Sequence, residues 1–151
     1  MEMPSQPESA TPPARRRKVL LHPLLVTVPI GCWMASAVFD VASRSADRPA
    51  EFTTASTWLV VIGLLAAVIA GLAGFVESLP IPVGTVAHRR FVVHLMFAGA
   101  VLVLYMLDYL MRLGAPPDRP VPAGLVVFSL VNAAVLVVTM GTGAAIRAAS
   151  R

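Results

Sequence analysis

The stretch "LLHPLLVTVPIGCWMASAVFDVASR", residues 20–44, decides the fold. Crossing about 30 Å of hydrocarbon takes roughly 20 helical residues, and this run has that length and apolarity. It also carries His22 near its start and Asp40 near its end. Whether those two residues are parts of a site or only mark where a helix meets water is the question that the rest of the chain must answer.

Working outward, three further apolar runs of spanning length follow, at 57–76, 91–111 and 122–146, with the first at about 20–40. Breakers separate them: "SRSADRPAE" after the first, "ESLPIPVGTVAHRR" after the second and "RLGAPPDRPVP" after the third. Linkers this short force neighbouring helices to be antiparallel. The expected fold is all-α: a polytopic membrane protein with four transmembrane helices in an up-and-down bundle over residues 19–151, preceded by a tail at 1–18. The polar, proline-rich "MEMPSQPESATPPA" at the start of that tail is expected to be disordered.

Composition agrees. Hydrophobic residues make up 57% of the 151, charged residues 13%, and mean hydropathy is +0.78; soluble domains hold about 25% charged residues. The formal charge is +4, and Lys18 is the one lysine among 12 basic residues. That skew, with abundant Ala, Val and Pro, is typical of a GC-rich bacterial genome. The basic residues lie in clusters beside apolar runs, a topology pattern rather than a nucleic-acid-binding face. Eight of them (Arg15 to Lys18, Arg89, Arg90, Arg147, Arg151) fall on one side of the expected membrane and four (Arg44, Arg48, Arg112, Arg119) on the other. Cytoplasmic segments retain Lys and Arg, so both termini are expected in the cytoplasm of a bacterium. Cys32 is alone, so neither an internal disulfide nor a cysteine-built zinc site is available. "RRRK" with the following apolar run imitates an export signal, and "VPIGC" a lipoprotein cleavage site. Pro29 occupies a position where the latter wants an aliphatic residue, and retention of the first helix is expected.

Helices in lipid associate through small residues and polar contacts. Span two offers Gly63, Ala67 and Gly71 at four-residue spacing, with Ala66, Ala70 and Gly74 beside them; span four offers Gly124, Ser129, Ala133, Gly141 and Gly143. Asn132, mid-span, is expected to make an interhelical hydrogen bond.

His22 and Asp40 are 18 residues apart, five helical turns and about 27 Å along one face. In span three His94 and Asp108 are 14 apart, close to four turns. Each acid has an arginine four residues on, in "DVASR" and "DYLMR". An acid at a helix C-terminus opposes the macrodipole, so Asp40 with Arg44 and Asp108 with Arg112 are expected as structural ion pairs. Two parallel two-helix repeats and chance both account for the pattern. His22 precedes Pro23, which suits the first helical position. Glu77 is expected to be solvated or to face Arg89 or Arg90, and His88 to lie on the surface. In a sharper reading, His22 and His94 at equal depth ligate a b-type haem, or His22, Glu77 and His94 hold a divalent metal.

"HPLLVTVPIG" (22–31), followed by Asp40, a Gly/Ala-rich second span ending in an acid, and a third-span histidine with a closing arginine, resembles the family catalogued as domain of unknown function 2231. The likeness covers about residues 20–140 and rests most on His-Pro followed by Pro-Ile-Gly. It implies four spans, and an association with membrane electron transfer, because some members accompany Rieske-type modules. Members often have Asp where Glu77 stands, and Asn a turn after the third-span histidine, where this chain has Phe97 and Ala98. The ending "TMGTGAAIRAASR" also departs.

No serine, cysteine or lysine stands beside a histidine or acid at catalytic spacing, and no phosphate loop appears. The expectation is a non-enzymatic partner or assembly component of the bacterial cytoplasmic membrane, meeting lipid and either a membrane redox protein or further copies of itself. The alternatives are a haem-binding electron carrier using His22 and His94, and a small transporter or proton path using Asp40, Asp108 and Asn132.

Overall fold

A computed structural model describes residues 21–148, with side chains as far as Met140. The tail at 1–18, Arg151 and the side chain of Arg147 lie outside that description. Among the described residues five helices form: α1 (Leu21–Leu25), α2 (Thr27–Ser43), α3 (Pro49–Ser78), α4 (Val86–Leu113) and α5 (Ala123–Ala148). There is no strand among the described residues. Four helices are long and apolar enough to cross a membrane, α1 and α2 acting together as one span over Leu21–Ser43.

Pro29 explains the break between α1 and α2. It has no N–H to give to the carbonyl four residues back, and its ring crowds that carbonyl, which belongs to Leu25, the last residue of α1. The chain still bridges the break, with Val26 N donating to His22 O at 3.0 Å. α3 and α4 outrun the apolar runs expected at 57–76 and 91–111 because helix ends are set by capping rather than by hydrocarbon thickness. Pro49 opens α3 at its first position. Thr85, placed after the left-handed turn at Gly84 (φ 85°), caps α4 by accepting from His88 N at 3.1 Å.

The helices form a square. α2 packs on α3 and α5, α4 also packs on α3 and α5, and α1 lies on α3. α2 and α4 are therefore diagonal and parallel, and they meet through Trp33 and Tyr105, which stack with centroids 4.0 Å apart and planes within 5°. Val60, Leu64, Val101 and Leu136 surround that stack. The indole reaches it because Gly63 has no side chain: a Cβ there would collide with Trp33 Nε1. Of the small residues expected to line span two, Gly63, Ala70 and Gly74 face α1 and α2, whereas Gly71 meets nothing within 4 Å. In α5 the buried seam runs Leu125, Ser129, Asn132, Ala133, Leu136, while Gly124 is exposed.

The two ends of the bundle differ. α4 buries Val101, Tyr105, Asp108 and Arg112 and nothing earlier; every residue from Val92 to Ala100 is exposed. One end is closed around Arg112, and the other is open around His22 and His94.

Candidate functional site

At the closed end, Arg112 binds a group from every other span. Its Nη1 and Nη2 donate to Asp40 Oδ1 and Oδ2 at 2.9 and 2.6 Å, the bidentate fork that guanidinium and carboxylate favour. Nε and Nη2 donate to Asp108 Oδ2 at 3.2 and 3.1 Å. Nη1 also reaches Ser56 Oγ on α3 at 2.9 Å, and Nη2 reaches Ser129 Oγ on α5 at 3.1 Å. Ser129 in turn donates to Asp40 Oδ2. Asp40 and Asp108 are 0% exposed and Arg112 6%.

The expected Asp108–Arg112 pair forms. The expected Asp40–Arg44 pair does not: Asp40 takes Arg112, 72 residues away, and Arg44 donates instead to Val121 O at 3.1 Å. Arg44 is exposed whereas Asp40 faces the bundle interior, so the spacing that would pair them on an isolated helix is overridden by packing. Two further bonds fasten the loop between α4 and α5: Val121 N donates to Ser43 Oγ at 3.1 Å, and Thr53 Oγ1 to Arg119 O at 2.8 Å. Beside this strap a cleft of about 140 Å³, lined in part by Thr53, Thr57, Val121 and Leu125, reaches Arg112. Asn132 makes the interhelical bond expected of it, from Nδ2 to Leu104 O at 3.4 Å.

At the open end, the rings of His22 and His94 come within 6.0 Å, centroid to centroid and nearly perpendicular. His22 Nδ1 lies 2.8 Å from Ala70 O. A carbonyl only accepts, so Nδ1 carries the proton, which in the neutral imidazole leaves Nε2 as the acceptor. Gly74 makes the approach possible, since a Cβ there would stand 2.7 Å from Nδ1. Glu77 faces neither water alone nor the loop arginines: its Oε1 accepts from Leu21 N at 2.7 Å and His22 N at 3.3 Å, capping α1 from the end of α3. In the expected His22–Glu77–His94 metal set, Glu77 Oε1 is thus committed to backbone amides. No group of three His, Cys, Asp or Glu side chains able to hold a metal ion occurs among the described residues. His88 is half-buried in the first turn of α4.

Comparison with known proteins fits this architecture. A family model described as "Predicted membrane protein (DUF2231)" matches residues 18–150. The chain belongs to the DUF2231 family. No curated protein and no solved structure matches this DUF2231 chain. Sequence reasoning placed the ring pair of this DUF2231 protein at one depth but missed Ser56 and Ser129, whose hydroxyls complete the arginine's shell. Ser129 stood on the small-residue stripe of span four, taken there for packing alone, whereas Ser56 precedes the 57–76 run and no stripe pointed to it.

Proposed function

We propose that this membrane protein is a non-enzymatic redox component of the bacterial cytoplasmic membrane, with both termini in the cytoplasm and a b-type haem held between His22 and His94. The observation that carries the reading is the 6.0 Å approach of two imidazoles from different spans. His22 and His94 would hold the iron, one imidazole from each of two spans. A ligating histidine characteristically gives its other ring N–H to a carbonyl or carboxylate, as His22 Nδ1 does to Ala70 O. Around His94 the α4 residues Val92 to Ala100 are exposed and mostly apolar, which leaves them free to meet a macrocycle. A haem held by two side-chain ligands has no open coordination position and suits electron transfer.

The test is a visible spectrum of the purified, dithionite-reduced protein, expressed with haem supplied. Soret and alpha bands that vanish in both His22→Ala and His94→Ala are expected. A wild-type protein without those bands overturns the haem assignment.

A further inference from the structure

The closed end carries a second site, independent of any haem. Two carboxylates, Asp40 and Asp108, share one guanidinium in the bundle interior, leaving one negative charge in excess where an uncompensated charge is costly. The excess has a definite place. Both oxygens of Asp40 and Oδ2 of Asp108 are engaged, whereas Asp108 Oδ1 has no partner. Among the described residues just two other buried side-chain polar atoms lack a partner: Tyr105 Oη and Asn132 Oδ1. Both side chains are 1% exposed.

All three residues lie along one stretch of the bundle, two on α4 and one on the facing α5. Tyr105 lies one turn before Asp108 on α4 and feels the charges of Asp108 and Arg112. Asn132 Nδ2 is tied to the carbonyl of Leu104, one turn before Asp108, which levels the amide with that carboxylate and fixes Oδ1 as the free end. The other groups around the cluster are Asp40 on α2, Ser56 on α3 and Ser129 on α5. Arg44, on α2, is committed to Val121 O.

We propose that Asp108 Oδ1, Asn132 Oδ1 and Tyr105 Oη form a binding site for one exchangeable, compact monovalent cation, a proton or a sodium-like ion. The missing charge is a single positive one, and carboxylate, amide and hydroxyl oxygens are the donors that hard cations take. A proton would sit on Asp108 Oδ1 and be donated toward Asn132 Oδ1; a sodium ion would use all three oxygens and water. The cleft beside the α4–α5 loop has Arg112 in its wall, so solvent approaches as far as the arginine that Asp108 pairs with.

The experiment uses the full chain in nanodiscs, in sodium-free buffer. Infrared spectra across a pH series read the proton: a carboxylic-acid C=O band that titrates, is lost in Asp108→Asn and shifts in Asn132→Leu is the expected result for H⁺. Thermal unfolding against added NaCl, with choline chloride as control, reads the ion: a sodium-specific rise in Tm that disappears in Asp108→Asn and shrinks in Tyr105→Phe is the expected result for Na⁺. Asn132→Leu and Tyr105→Phe leave the ion pairs intact, so they report on the site even if Asp108→Asn folds poorly. Absence of both signals in the wild type overturns the proposal and leaves Asp108 as a permanently charged partner of Arg112.

Discussion

Arg112 holds together more of the molecule than any other side chain. Truncating one member of a buried ion pair leaves the remaining charge uncompensated and costs about 3–5 kcal/mol. Here Arg112→Ala would strand two carboxylates at once, so a loss at the upper end of that range is expected, read as Tm or as denaturant midpoint in detergent. Arg112→Lys should recover little of it, because one ammonium cannot reproduce a fork that serves Asp40, Asp108, Ser56 and Ser129 together. Arg44→Ala, by contrast, removes one bond from an exposed side chain to Val121 O, and about 1 kcal/mol is expected. Equal losses from the two arginine variants would contradict the arrangement. "DVASR" and "DYLMR" are indistinguishable as local spacing, and the sequence therefore suggested two equivalent clasps. What separates them is which face of each helix turns inward, a property of the assembled bundle that i,i+4 spacing does not encode.

Among the elements, α3 shows how small residues divide labour along one helix. Gly63 admits the Trp33 indole, so Gly63→Ala must push the ring off Tyr105 and should cost about 1–3 kcal/mol, the range for overpacking. Gly71 faces open space, and Gly71→Ala is expected to be neutral or to gain up to about 1 kcal/mol from helix propensity. Comparative thermal unfolding of the two variants checks the assignment. The existence of four spans was legible because apolar run length alone specifies it. The choice between Gly63 and Gly71 was not, since both lie on the same four-residue ladder and only the kink at Pro29 determines where α1 and α2 touch it. Glu77 was misread for a related reason: its partners are the backbone amides of Leu21 and His22, which only the assembled bundle brings to the end of α3.

For the whole molecule, the contrast between ends implies uneven stability. Hydrogen exchange in nanodiscs should be faster in α4 from His88 to Ala100 than from Val101 to Arg112, and haem addition should slow the first segment selectively. Uniform protection along α4 would argue against an open end. The depth match of His22 and His94 was legible from topology and turn counting. Their 6.0 Å approach was not, because it depends on Gly74 letting the His22 ring settle on α3. The Asp40–Arg112 bond also bears on how the protein is made. Its partners are separated by 72 residues, which a ribosome adding about 5–20 residues per second takes about 4–14 s to deliver. During that interval the one cation within reach of Asp40 on its own helix is Arg44, four residues on. Until α4 emerges the two must rest together at the lipid–water boundary, and the acid changes partner when Arg112 arrives. A nascent chain arrested before Arg112 should remain extractable from the membrane or bound to the translocon, and one arrested after α5 has cleared should not.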